Sequence, residues 1–172
     1  MAITANMLYN YVVCPHRITM DLFGDPAERG EPNPFVQLLW ERGTTYEQEV
    51  MSQLAVPFLD LSSLRGEDKE RRTLQAMTSG ERLIYGGRIS AGDLVGEPDL
   101  LRKEGYGYTA GDIKSGAGED GGEENGKPKL HYAVQLALYT DILERQDLSS
   151  GRRAFVWDVH GDEVFYDFSE PQ

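Results

Sequence analysis

The amino-acid sequence predicts a mixed α/β fold, a mixed β-sheet flanked by helices, as a single domain over residues 1–172. Two observations support it. Helical segments come first and strand-forming segments with glycine-rich turns follow, before a long amphipathic helix and two final strands. No internal repeat or linker divides the chain, and its length suffices for one hydrophobic core.

The composition is that of a globular protein, with 40% hydrophobic and 27% charged residues. No apolar run has the length of a membrane span. The first residues lack the basic and apolar regions of a signal peptide, so we expect a cytoplasmic protein. The single cysteine, Cys14, excludes an intrachain disulfide and a multi-cysteine metal site.

The formal net charge of −12 argues against a nucleic-acid-binding protein, because phosphate contacts require lysine and arginine. Four of the acids lie in residues 119–124 (EDGGEE). Acids that bind a divalent cation lower the formal charge, yet they favour a phosphate substrate once the cation is bound. The charge therefore disfavours a nuclease without excluding one.

The first half of the chain contains four predicted helices. Thr4 is a suitable N-cap for the first helix, Cys14-Pro15 ends it, and Asn33-Pro34 begins the third. The predicted helical spans are residues 4–13, 17–23, 34–55 and 67–78.

The second half begins with three predicted strands, which we interpret as a meander: RLIYGGRIS, GDLVGEPDLLRK and YGYTAGDIKS. A glycine-rich acidic loop follows, and we predict that residues 117–127 are mobile and border the cleft. The segment KLHYAVQLALYTDILERQ is predicted to be a helix, and RRAFVWDV and VFYDF a closing hairpin.

Two carboxylates and an amine are predicted at the ends of neighbouring strands. In the third strand, the alternation of side chains places Asp112 and Lys114 on one face and turns Ile113 towards the core. Pro98 has no N–H and suits a bend that redirects Asp99. Antiparallel pairing would then bring Asp99 beside Asp112.

Adjacent carboxylates repel each other unless a cation lies between them, and a divalent metal with oxygen ligands is the natural one. The alternative is an exposed hairpin with an Asp–Lys cross-strand pair. An acid-x-Lys triplet alone carries little information. Glu67-Asp68-Lys69 has the same pattern in a helical run that we expect to be solvated.

The third predicted helix carries an acid on its apolar face. Glu47 shares that face with Trp40, Gly43, Val50, Met51 and Leu54. A carboxylate in such a position needs a partner, and a metal shared with the two aspartates would be one. The alternatives are an ion pair with an arginine and a position at the rim of the apolar face.

The last predicted helix carries a polar stripe in an otherwise apolar sequence. His131, Gln135 and Tyr139 are one turn apart and would face a wet cleft. The alternative is a core glutamine with an ordinary amphipathic tyrosine.

Together these motifs resemble the PD-(D/E)XK nuclease superfamily. Pro98-Asp99, twelve intervening residues and Asp112-Ile113-Lys114 match its signature. HYAVQLALYTDIL resembles the Gln-x-x-x-Tyr motif of the RecB-like branch, which includes CRISPR-associated RecB-like nucleases. Three further segments resemble that branch: WERGTTYEQEV, TLQAMTSGERLIYGG and YVVCPHRITMDLFGDP.

The resemblance implies a restriction-endonuclease-like fold and a deoxyribonuclease that depends on Mg²⁺ or Mn²⁺. It implies that Asp99, Asp112 and the Ile113 carbonyl bind the metal. It also implies that Lys114 orients the attacking water or helps to deprotonate it.

The resemblance also implies supporting roles. Glu47 matches a helix acid, at a position where many relatives carry histidine, and Gln135 and Tyr139 would position the substrate or the lysine. Cys14 matches the first cysteine of relatives with an iron–sulfur cluster, but the remaining cysteines are missing, so no such cluster can form.

The implied partners are single- or double-stranded DNA and a helicase or another nucleic-acid-processing protein. We predict substrate contacts from five basic residues: Lys127, Lys129, His131, Arg152 and Arg153. One rival interpretation is a nuclease fold that no longer cuts and serves as a scaffold, which the charge of −12 favours. Another is a phosphohydrolase acting on RNA or nucleotides. The chain is interpreted as a free-standing nuclease or as part of a longer protein.

Overall fold

The computed structural model describes residues 1–31, 33–120 and 127–169. Within these residues the α-helices are α1 (Ala5–Val13), α2 (Pro15–Phe23), α3 (Pro34–Gln53), α4 (Gly66–Ser79) and α5 (Leu130–Arg145). The strands are β1 (Ile3–Thr4), β2 (Leu59–Asp60), β3 (Leu83–Tyr85), β4 (Ile89–Ala91), β5 (Leu94–Gly96), β6 (Leu100–Glu104), β7 (Gly107–Ile113), β8 (Glu119–Asp120), β9 (Lys127–Pro128), β10 (Arg153–Trp157) and β11 (Glu163–Asp167).

Local sequence signals set the ends of the helices, as predicted. The Thr4 hydroxyl accepts a hydrogen bond from the Met7 N–H at 3.2 Å and caps α1. The Asn33 side chain accepts one from the Phe35 N–H at 2.8 Å and caps α3. Gly80, with φ 79°, ends α4 in the left-handed conformation that glycine adopts most readily.

Six strands form the main sheet, in the order β11-β10-β7-β6-β3-β2. The pairs β10–β7 and β2–β3 are parallel and the others antiparallel, which confirms the predicted mixed sheet. The closing hairpin is β10–β11, whose turn is fixed by Asp158: its carboxylate accepts hydrogen bonds from the N–H groups of His160 and Asp162.

The predicted three-stranded meander is wrong, because two of its strands are each divided in two. RLIYGGRIS breaks at Gly86, which has φ +65°, and GDLVGEPDLLRK breaks at Pro98, which has no N–H to donate. The second half of the first segment, β4, and the first half of the second segment, β5, join β1 in a separate three-stranded sheet. Pro98 and Asp99 therefore lie where the chain passes from the small sheet to the large one.

The two faces of the main sheet are covered by different helices. On one face, Leu100, Ile113 and Phe155 pack with Met51 of α3. On the other face, a larger cluster joins side chains of β6, β7 and β10 to α4 and α5, and α1 packs on α5. Ile113 points into the core as predicted, and Asp112 therefore points to the opposite face, towards α5.

The prediction that α4 is solvated in its first turns is wrong at Lys69. This side chain is only 6% exposed, because it shares the buried face of α4 with Thr73, Ala76 and Met77. Lys69, Thr73, Ala76 and Met77 are spaced i, i+4, i+7 and i+8, which is the spacing of one helix face.

The predicted mobile loop over residues 117–127 falls mainly on residues 121–126, which lie outside the described residues. The flanking strands β8 and β9 pair in antiparallel orientation. In the part of the chain that the structure describes, no helix is both long and apolar enough to cross a bilayer.

Gly111 is expected to be required for the packing of the main sheet. A Cβ atom at this position would lie 2.4 Å from the ring of Phe155, which is fully buried and cannot move aside. We expect Gly111→Ala to lower the free energy of unfolding by about 1–3 kcal/mol in urea titrations. Gly30→Ala is the control, since no atom of the described residues lies within 4 Å of a Cβ there. Equal urea midpoints for the two variants would contradict this account.

Candidate functional site

Asp99 and Asp112 lie side by side where β6 begins and β7 ends. The antiparallel register pairs Leu100 with Gly111. Asp99, which precedes Leu100, therefore lies opposite Asp112, which follows Gly111. The Ile113 N–H donates a hydrogen bond to Asp99 Oδ2 at 2.7 Å, and the Asp99 N–H lies 3.4 Å from Asp112 Oδ1. Burial raises the pKa of Asp99 well above its ordinary value, and the negative charge of Asp112 raises it further.

Lys114 adds a positive charge to the two aspartates. Its Nζ lies 2.9 Å from Asp112 Oδ2. Burial alone would lower the pKa of Lys114, but Asp112 and Asp99 outweigh it and the net shift is upward. In this arrangement Lys114 is an ammonium ion that donates hydrogen bonds.

Helix α5 connects Lys114 to the strand that precedes Asp99. Lys114 Nζ lies 3.5 Å from Gln135 Oε1, and Gln135 Nε2 donates to the Tyr139 hydroxyl at 3.0 Å. The Tyr139 hydroxyl lies 3.4 Å from the Glu97 carbonyl. Burial raises the pKa of Tyr139, and the charges of Asp112 and Asp99 add to this. The structure thus brings two residues of the predicted polar stripe to the lysine.

The third member of the stripe, His131, lies in an aromatic group that α5 forms with α1. Its ring makes edge contacts with Tyr9 and Tyr132, with centroids 5.0 and 4.5 Å apart. Lys114 Nζ and Lys129 Nζ lie 5.4 and 5.6 Å from the Tyr132 ring centroid. Tyr132 therefore links Lys129 to the neighbourhood of the site.

Helix α3 brings Glu47 to the site from another direction. A Cβ at Gly43 would lie 4.0 Å from Ser115 Oγ, so the helix passes close to the end of β7. Glu47, one turn later, is partly buried and lines a cavity that also reaches Asp99. Burial raises the pKa of Tyr85, and hydrogen bonding to Glu47 raises it further. No arginine among the described residues forms an ion pair with Glu47.

The predicted apolar face of α3 is buried only in its second half. Met51 is buried and Val50 and Leu54 are partly buried, whereas Trp40 is 54% exposed. Glu47 therefore lies where the buried part of this face meets the cavity, which agrees with a position at the rim, and its role as a metal ligand stays a prediction.

The structure does not bring two of the predicted substrate residues to the aspartates. Arg152 and Arg153 lie at the amino end of β10, which runs parallel to β7, so they are at the opposite end of the sheet from Asp112. Arg152 pairs with Glu144 at 3.3 Å and Arg153 with Glu104 at 2.6 Å. Lys127 is exposed on β9.

Sequence reasoning missed a group of charged residues beside Asp99. A cavity of about 270 Å³ is lined by Ser62, Arg65, Lys69 and Glu97 in addition to Glu47 and Asp99. The spacing of Lys69 with the apolar residues of α4 was a signal for its burial. Glu97 stands two residues before Asp99 in the sequence, which was a second signal.

The donor set around the aspartates fits a hard divalent cation. Asp112 Oδ2 is buried and accepts no well-aligned hydrogen bond from the residues that the structure describes, although Lys114 is at ion-pair distance. No group of three or more His, Cys, Asp or Glu side chains is arranged to hold a metal within the described ranges. Two carboxylates with a backbone oxygen suit Mg²⁺, which binds to one or two carboxylates and retains several waters.

Comparison with known proteins adds one match. A family model described as the PD-(D/E)XK nuclease superfamily matches residues 16–171, nearly the whole chain. The match is to the superfamily and does not single out the RecB-like branch. No curated protein is significantly similar to the chain.

Proposed function

The chain belongs to the PD-(D/E)XK nuclease superfamily, and from this premise we propose that it is a metal-dependent deoxyribonuclease. The observation that carries the proposal is the buried contact between Asp99 and Asp112 with Lys114 beside them. Two like charges held together away from water are costly, and a bound divalent cation would offset that cost.

The residues that would hold Mg²⁺ or Mn²⁺ are Asp99, Asp112 and the Ile113 carbonyl. Glu47 on α3 lines the cavity that reaches Asp99, and its side chain would have to turn towards the aspartates to join them as a third carboxylate. When bound, the cation supplies an activated water molecule and stabilises the negative charge that develops on the phosphate. The buried, hydrogen-bonded setting of the aspartates fixes their oxygens before substrate arrives.

Lys114 is proposed to orient the attacking water and to donate a hydrogen bond to the reacting phosphate. Gln135 holds the Lys114 ammonium and is itself held by Tyr139. We assign Gln135 and Tyr139 as positioning residues, because they act through Lys114. Lys127, Lys129 and His131 remain candidates for contacts with the DNA backbone on the α5 side.

The proposal is tested by incubating the purified protein with end-labelled single- and double-stranded DNA. We expect cleavage with Mg²⁺ or Mn²⁺ and none in EDTA, because the aspartates alone cannot activate water. Electrophoresis of the products measures the rate. Intact DNA of both kinds, in both metals, would refute the proposal.

A second candidate function is an interaction module that no longer cuts. Large apolar side chains are exposed on α2 and α3, where Phe23 is 80% and Phe35 65% exposed, and such surfaces often contact other proteins. Calorimetry with Mn²⁺ separates the two functions, because the nuclease requires metal binding that depends on Asp99 and the interaction module does not.

A further inference from the structure

The cavity beside Asp99 contains a buried lysine that the proposed chemistry does not use. Lys69 lies on the inner face of α4, and its side chain is 7% exposed. Its Nζ lies 3.2 Å from Glu97 Oε2. The cavity is lined by Asp99 but not by Asp112 or Lys114.

The partner of Lys69 is shared with a second cation. Glu97 also accepts a hydrogen bond from Arg88 Nη1 at 2.7 Å, and its side chain is 47% exposed. If Lys69 turned to another anion, Glu97 would keep Arg88. The ammonium group can therefore bind an incoming anion without leaving a buried carboxylate unpaired.

The other cation that lines the cavity is Arg65, whose side chain contacts backbone carbonyls. The Arg65 Nη1 group donates hydrogen bonds to the backbone carbonyls of Ser62 and Leu64, the latter at 2.7 Å. Among the described residues, no carboxylate lies at ion-pair distance from Arg65. A guanidinium group has five N–H donors, so it can bind an anion while it keeps these contacts.

We propose that Arg65 and Lys69 form a subsite for a phosphate of the DNA backbone, next to the phosphate that is cleaved. The inference rests on the proposed nuclease function. Arg65, Lys69 and Ser62 line this cavity together with the acids Glu47, Glu97 and Asp99. Glu97 is paired with Arg88, and the proposed metal would offset the charge of the other two acids. A phosphate is the anion that a nucleic-acid strand presents there. Contacts of this kind position a strand without reading its sequence.

The test measures binding of a fluorescein-labelled single-stranded DNA oligonucleotide in Ca²⁺, by anisotropy. We expect Lys69→Met and Arg65→Gln each to weaken binding about tenfold, because each removes a charge-assisted hydrogen bond. The variant that combines Lys69→Met with Arg65→Gln is expected to reduce the salt dependence of binding. The slope of the logarithm of the association constant against the logarithm of the salt concentration should become shallower by about 0.7, the value for one phosphate on a single strand. A slope change twice as large would show two separate phosphates and overturn the shared subsite.

The matched control is Arg71→Gln on the same helix. Arg71 pairs with Asp68 and its side chain is 79% exposed, so this change removes the same charge from the outer face. If the wild-type protein binds and cleaves DNA, and Lys69→Met and Arg65→Gln bind it as tightly as Arg71→Gln does, the subsite alone is overturned. Failure of the wild-type protein to bind or cleave would overturn the nuclease function and the subsite with it. If Lys69→Met does not fold, Arg65→Gln decides.

Discussion

Replacing Asp99 by asparagine is expected to abolish cleavage while making the metal-free protein more stable. Asparagine has the shape of aspartate and can still accept the hydrogen bond from the Ile113 N–H. It carries no charge, so Asp112 and Lys114 remain as a neutral pair. The cleavage rate should fall by at least about a thousandfold, because several kcal/mol of charge stabilisation are lost.

The gain in stability follows from the raised pKa of Asp99. A carboxyl group with a raised pKa in the folded protein stabilises the fold below its unfolded pKa, and this contribution is lost as the pH rises through the folded pKa. Asp99→Asn has no such loss. In EDTA its free energy of unfolding should exceed that of the wild type at pH 8, with a smaller difference at pH 5.

Urea unfolding in EDTA, calorimetry with Mn²⁺ and the cleavage assay together test this prediction. Asp68→Asn is the control, because that carboxyl is 75% exposed and lies on the outer face of α4. The control should bind Mn²⁺ and cut DNA as the wild type does. An Asp99→Asn protein that still binds Mn²⁺ with wild-type affinity would remove Asp99 from the metal site.

The contact between the two aspartates was predictable because it depends on neighbouring parts of the chain. Strands β6 and β7 are joined by a short turn at Gly105, which fixes their register. Strand alternation then places Asp99 and Asp112 on one face. The caps at Thr4 and Asn33 were predictable for the same reason, since each acts within three residues.

Features that depend on distant parts of the chain could not be predicted. The direction of β10 in the sheet decides that Arg152 and Arg153 lie far from Asp112, and no local pattern encodes that direction. The burial of Lys69 depends on Glu97, which lies 28 residues away. The spacing of Lys69 with Ala76 and Met77 indicates the helix face that it shares, but no local pattern identifies Glu97 as its partner.

Lys114→Met is expected to separate metal binding from catalysis. Its Nζ lies 2.9 Å from Asp112 Oδ2, an oxygen that a cation would also use, so removing the ammonium group should leave Mn²⁺ binding intact or tighter. Cleavage should fall by about 10²–10³, the loss typical of a donor that stabilises developing charge. In EDTA the variant should lose about 3 kcal/mol of stability, because two buried carboxylates then face each other without a cation.

Mn²⁺ should restore that stability, since the metal replaces the missing positive charge between Asp99 and Asp112. Thermal unfolding with and without Mn²⁺ measures the recovery, and calorimetry measures the affinity. Lys103→Met, at an exposed position of β6, is the control and should change neither property. We expect Asp99→Asn to remove metal binding and Lys114→Met to retain it. This pair of results would distinguish a metal site assisted by a lysine from a buried ion pair that only stabilises the fold. Loss of Mn²⁺ binding in Lys114→Met would favour the ion pair.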